Sequence, residues 1–140
     1  YYGNIKLKSK VLDSLIKKFE IKVTPKEFYM SPEEIKYLSD MGMIIGSHSV
    51  NHNLLSRLSE REQKIEIKNS KEILEEIIKK KCNFFSYPYG GKDSYNSITL
   101  KILNELNFDY SFTVQSNSFN EKDLKQIPLE LPRFDCIEFG

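Results

Sequence analysis

The feature that most constrains this chain is an alternation. Stretches with apolar residues at helical spacing are separated by short β-branched or aromatic runs that end in glycine, proline or polar residues. An alternation of this kind points to βα units and a mostly parallel sheet. The chain shows no internal repeat, low-complexity tract or long linker that would break the pattern.

The helices announce themselves by their ends. A first helix is expected over about Ser9 to Phe19, with Val11, Leu12, Leu15, Ile16 and Phe19 on one face. The β-branched stretch Ile21 to Thr24 comes next and stops at Pro25. Ser31, Pro32 and Glu34 open a second helix as cap, first helical residue and capping-box partner, and Gly42 is placed to end it in a left-handed conformation. Met43-Ile44-Ile45 then reads as a short buried strand running into Gly46-Ser47-His48. The longest helix is expected from Ser59 to about Lys80, with Ser59 and Glu62 as its capping box. Asn83 to Tyr87 reads as the next strand, ending at Pro88-Tyr89-Gly90-Gly91. A helix over about Ser94 to Leu106 and strands at Tyr110 to Val114 and Glu130 to Phe134 complete the pattern. The polar loops after Ile45 and Tyr87 lie at the carboxyl ends of expected strands, where ligands gather in barrels and open α/β sheets.

At 140 residues the chain suits one domain with one core. Its 21 basic and 20 acidic residues leave no charge excess to neutralise a phosphate backbone, so no nucleic-acid partner is expected. No run of about 18 apolar residues provides a membrane-spanning helix. No signal peptide is recognisable either, and because the chain opens on Tyr1 rather than Met its natural start is expected to lie elsewhere. Cys82 and Cys136 lie far apart, match no CxxC pattern and read as free, partly buried thiols, with a single disulfide between them as the alternative.

Three places carry candidate chemistry. The only two histidines fall four residues apart in Ser47-His48-Ser49-Val50-Asn51-His52. Imidazoles at that spacing can share one metal ion on a helical turn, although two nitrogens do not close a tetrahedral site. The same spacing also suits two hydrogen-bonding histidines in a surface loop. In Phe84-Phe85-Ser86-Tyr87-Pro88-Tyr89-Gly90-Gly91, a strand ending in a tight turn can aim backbone N–H groups at a developing oxyanion. An ordinary turn after a strand is the plainer reading. Arg133, in Leu131-Pro132-Arg133-Phe134-Asp135, needs a carboxylate partner if it is buried. It could orient a catalytic aspartate or make a structural salt bridge.

Together these segments resemble polysaccharide deacetylases, the NodB-homology domains of carbohydrate esterase family 4. The run Met41 to His52 is similar to the family's second signature, in which an H-S/T-x-x-H element gives two histidines to a divalent metal. Phe85-Ser86-Tyr87-Pro88-Tyr89-Gly90 is similar to the third signature. The segments from Phe108 to Val114 and from Leu131 to Phe134 resemble the stretches beyond that signature in many members, and the resemblance covers roughly Phe28 to Phe134.

The resemblance implies an α/β fold of NodB-homology type, an incomplete or distorted (β/α) barrel formed by residues 1–140 as a single partial domain. It implies metal-dependent removal of N-acetyl groups from a polysaccharide, with His48 and His52 as zinc ligands. The backbone N–H of Tyr89 would be the oxyanion donor, Tyr87, Pro88 and Tyr89 would meet the substrate, and Arg133 would orient the base. If the protein is like most of the family, it works outside the cytoplasm or at the cell surface.

The sequence departs from the family in several ways. The first signature, T-F-D-D-G, which supplies the base and the third ligand, does not occur, and every aspartate is isolated. Tyr1-Tyr2-Gly3-Asn4 leads into a helix much as the stretch after that signature does, so an Asp-Asp pair is expected just upstream of Tyr1 in the parent. Ser86 or Tyr87 takes the place of the third signature's arginine, and there is no tryptophan and no third histidine to serve as the acid. Zinc is therefore expected to bind weakly. Missing strands leave raw sheet edges, through which a homodimer is expected to form. The alternative is an inactive carbohydrate-binding or interaction module with the same fold, and a third reading is an unrelated α/β domain.

Overall fold

The computed structural model describes residues 5–20, 28–134 and 138. The expected strand at Ile21 to Thr24, together with Asp135 and Cys136, lies outside them. By its internal contacts the chain divides into two units, Tyr1–Ser31 and Pro32–Gly140. The first contains helix α1, Ile5–Lys18.

The second unit holds the remaining elements, beginning with α2, Pro32–Asp40. This helix ends as Gly42 predicts. Gly42 takes φ 93°, its N–H donates to the Ser39 carbonyl at 3.1 Å, and the Met43 N–H donates to Leu38 at 3.0 Å. That pair of bonds is a Schellman closure, which needs a residue at ease in the left-handed region. Helix α3, Glu60–Ile78, starts on the expected capping box, with Ser59 and Glu62 each bonding the other's backbone N–H. Strand β1, Phe84–Ser86, is followed by α4, Ser97–Glu105, which is capped by the reciprocal pair Asn96 and Thr99. Strand β2, Tyr110–Phe112, then leads to α5, Glu121–Gln126. The sequence pattern did not foretell α5. Its signal is Asn120 with Asp123, a capping box built from shorter side chains.

β1 and β2 pair in parallel, Phe84 with Tyr110 and Ser86 with Phe112. Isolated parallel bridges join Ser47 to Phe85 on one side and Phe112 to Leu131 on the other. The four extended segments thus lie side by side in chain order, all running the same way, as the βα alternation predicts. The strand expected at Glu130 to Phe134 shrinks to a single bridge at Leu131. Met43-Ile44-Ile45 does not enter the ladder, and Ile44 is 71 % exposed where a buried residue was expected. The reason is local: the chain meets β1 only at Ser47, and a single bridge cannot hold the residues before it against the sheet.

The core lies on one face of β1. Phe85 and Tyr87 pack with Leu55, Ile67 of α3, Tyr95, and Ile102 and Leu103 of α4. The Tyr87 ring stacks on Tyr95 at 4.0 Å between centroids, and Phe85 meets both Tyr87 and Phe108 edge-on. Successive strand residues point to opposite faces, so Phe84 and Ser86 turn away from this core. Among the described residues, no buried side-chain nitrogen or oxygen lacks a hydrogen-bond partner.

Candidate functional site

The loop that carries the two histidines is sewn to the carboxyl end of β1. The Ser47 N–H donates to the Phe84 carbonyl at 2.8 Å, and the Ser86 N–H donates back to the Ser47 carbonyl at 2.9 Å. His48 therefore starts beside Ser86, and its Nδ1 lies 2.7 Å from the Ser86 carbonyl oxygen. A carbonyl can only accept, so Nδ1 carries the proton and the neutral ring keeps a lone pair on Nε2. That tautomer is the one in which a metal-binding histidine is held by its outer partner. Packing around the ring disfavours its charged form and holds the His48 pKa below the ordinary histidine value. The Ser86 carbonyl opposes this shift, while the nearby His52 and Arg133 add to it.

His52 comes back toward His48 through two left-handed residues, Ser49 at φ 64° and His52 itself at φ 53°. The Ser49 hydroxyl accepts the His52 N–H at 3.2 Å. The two imidazole centroids end 4.9 Å apart, and His52 meets the Tyr89 ring at 4.8 Å, edge to face. Tyr89 is also left-handed, at φ 64°. Of the other non-glycine residues with positive φ, Lys79 caps α3, and Glu20 and Asn107 come just after the ends of α1 and α4. Among the described residues, the three that close no helix all sit here. Each such residue costs on the order of 1–3 kcal/mol and persists only where its surroundings over-determine it, as happens at functional sites.

Arg133 reaches the same place from the far end of the chain. Its Nη1 donates to the Ser86 hydroxyl at 3.0 Å, and its backbone N–H donates to Gln115 at 3.1 Å. Ser86 thus holds His48 with its carbonyl and Arg133 with its hydroxyl. Among the described residues, the hydrogen-bond partner of the Arg133 guanidinium is this hydroxyl.

Tyr87 and Pro88, expected to meet the substrate, are buried. The Tyr87 hydroxyl donates to the Leu129 carbonyl and accepts from Ser111, and burial pushes its phenol pKa well above the ordinary tyrosine value. Its side chain belongs to the core, so of the three expected contacts only Tyr89 stands at the surface. The sequence motifs also gave no sign of Glu66. This buried α3 residue accepts the backbone N–H groups of Val50 and Asn51 and the amide of Asn51.

A cavity of about 370 Å³ opens beside His48, lined by Ile44, Gly46, Phe84, Ser86 and Phe112 among others. A larger hollow of about 780 Å³ lies at the amino end of β1, among Lys71, Lys79 and Lys81, and holds none of the expected site residues. Among the described residues, no group of three or more His, Cys, Asp or Glu is placed to hold a metal ion. The two imidazoles suit the ion as a pair of ligands, and that pair is half of a tetrahedral set.

The sequence profile of the polysaccharide deacetylase family matches residues 8–111. The chain belongs to that family. Among solved structures, deacetylase PplD of Streptococcus pyogenes, in complex with acetate, is 28% identical with a TM-score of 0.67. The alignment covers 75% of this chain and 44% of PplD. BC0361, a polysaccharide deacetylase from Bacillus cereus, superposes with a TM-score of 0.65 at 24% identity, over 75% of this chain and 32% of its own, and shows the shared fold. YxkH of Bacillus subtilis strain 168, a candidate polysaccharide deacetylase by its name, is 26% identical over 87 residues, 62% of this chain and 30% of its own length. The chain thus spans less than half the length of each of these relatives. The profile match includes the histidine loop and the Tyr87 to Gly90 turn and stops before Arg133. No helix among the described residues is long and apolar enough to cross a membrane.

Proposed function

We propose that this chain carries half of the metal site, and the oxyanion side, of a hydrolase that removes N-acetyl groups from a polysaccharide. The observation that carries the reading is the 2.7 Å contact of His48 Nδ1 with the Ser86 carbonyl oxygen. The Ser86 carbonyl holds Nδ1–H, which leaves Nε2 as a ligand with a second imidazole 4.9 Å away, centroid to centroid, and a left-handed Tyr89 beside it.

On this reading His48 and His52 hold a divalent ion, zinc by the chemistry of the ligands. The chemistry such an ion supplies when bound is Lewis-acid polarisation of the acetyl carbonyl and acidification of water. The chain's own residues do the rest. The Tyr89 backbone N–H donates to the oxygen on which charge develops, where a fixed donor is worth most. Its exposed ring, braced by His52, offers the sugar a flat apolar contact. Arg133, held by the Ser86 hydroxyl, orients an acidic partner. Tyr87 and Pro88 shape the turn from beneath. The sequence has no T-F-D-D-G element, so the general base and the remaining ligand are supplied by other groups. The fold assigned with this function is an incomplete (β/α) barrel, of which the four parallel segments are a part, within a single partial domain.

Zinc calorimetry on the chain and on a His48→Ala, His52→Ala variant tests the proposal. Weak binding near one ion per chain, lost in the variant, is expected. Equal heats from the two proteins would refute the pairing of these histidines.

A further inference from the structure

We propose that Glu66 is a positioning residue, a carboxylate clamp that sets the angle at which His52 faces His48. The inference rests on the reading of these two histidines as ligands. Its basis is where the carboxylate grips the loop. Between His48 and His52 lie Ser49, Val50 and Asn51, and the left-handed residues are Ser49 and His52. Glu66 Oε2 accepts the Val50 N–H at 3.1 Å and the Asn51 N–H at 2.9 Å, the two peptides between the strained positions. Oε1 accepts the Asn51 side-chain amide at 2.6 Å and, at 3.5 Å, that of Asn53.

All four partners donate, so the carboxylate acts only as an acceptor, and among the described residues no cation pairs with it. A buried carboxylate is costly unless N–H groups replace its water, so Glu66 and the loop hold each other in place. One turn further along the same face of α3, Ser70 lies 2.6 Å, hydroxyl to hydroxyl, from Ser47. Helix α3 therefore grips the loop at both ends, through Ser70 before His48 and through Glu66 before His52. His48 has an anchor of its own in the Ser86 carbonyl. His52, whose ring touches only His48 and Tyr89 among the ring contacts, depends on the clamp.

Glu66→Gln keeps the volume of the side chain but turns an NH₂ toward donors, so it removes half of the clamp without opening a cavity. The test compares the unaltered chain with this variant, using the imidazole signals of its only two histidines in nitrogen-15 NMR spectra together with a zinc titration. The His52 ring signals should move away from their Tyr89-shifted positions, while the His48 Nδ1–H signal stays. Zinc affinity should fall roughly tenfold or more, as for loss of an outer partner of a ligand. Unchanged His52 signals in the folded variant would overturn the proposal. So would equal disturbance of both rings, which is what general loosening produces. If Glu66→Gln does not fold, Asn51→Ala removes one of the four bonds from an exposed position and should shift His52 alone in the same direction. No shift there would also overturn the clamp. If the unaltered chain binds no zinc, the metal reading fails and the ring signals still decide the clamp.

Discussion

Gly90→Ala gives the sharpest test of the turn that carries Tyr89. Gly90 sits at φ +69°, and a Cβ built there would lie 2.6 Å from Val114 Cγ1 and 3.0 Å from the Val114 backbone nitrogen. Two costs result. An alanine in the left-handed region loses about 1–2 kcal/mol, and an extra methyl forced into a packed site typically costs about 1–3 kcal/mol. Val114 cannot back away cheaply, because its N–H donates to the Gly90 carbonyl at 3.0 Å and ties the two segments together. A loss of about 3 kcal/mol is expected, which at a urea m-value of about 1–3 kcal/mol/M lowers the midpoint by roughly 1–3 M. Two companion variants separate the contributions. Gly91→Ala meets nothing within 4 Å and should stay within about 0.5 kcal/mol of the parent. Val114→Ala in the Gly90→Ala background relieves the contact with Cγ1 but not the contact with the backbone nitrogen, so it should recover only part of the loss. Gly90→Ala as stable as Gly91→Ala would refute the reasoning.

The burial pattern leads to two further outcomes. Tyr87→Phe removes the hydroxyl that bonds Leu129 and Ser111, and should cost about 1 kcal/mol in urea unfolding while leaving zinc binding unchanged; a loss of zinc binding at full stability would return Tyr87 to the site. The Cys82 thiol is buried, and burial raises its pKa above the ordinary value even though Lys71 opposes the shift. Iodoacetamide at pH 8 should therefore leave Cys82 unmodified in the folded chain and label it in urea, as read by peptide mapping; rapid labelling without urea would contradict its placement.

Helix ends were the most legible part of the fold. Ser59 with Glu62 and Gly42 after α2 are local devices whose geometry depends on a few neighbouring residues, and each forms as its chemistry dictates. Strands were less legible because a strand exists only through its partner. Met43-Ile44-Ile45 has the apolar, β-branched character of a buried strand, yet only Ser47 meets β1. The histidine pair was found by spacing. Its geometry was not, because the i and i+4 argument assumes a helical turn, and the loop reaches its convergence through left-handed Ser49 and His52 instead.

The burial of Tyr87 and of Glu66 has one physical root, the direction in which side chains point. A strand alternates faces, so Phe85 and Tyr87 share one face and Phe84 and Ser86 the other. Since Phe85 is an obvious core residue, the same count that buries it also buries Tyr87 and turns the Ser86 hydroxyl to the opposite face, where Arg133 donates to it. The corresponding count for α3 uses helical spacing: Gln63, Ile67 and Ser70 recur at three and four residues, and Glu66 falls beside them on the buried side. A glutamate at such a position needs donors, and the histidine loop supplies them. The polar residues that order this site were thus marked by being out of place on apolar faces, a signal that periodicity carries and motif spacing does not.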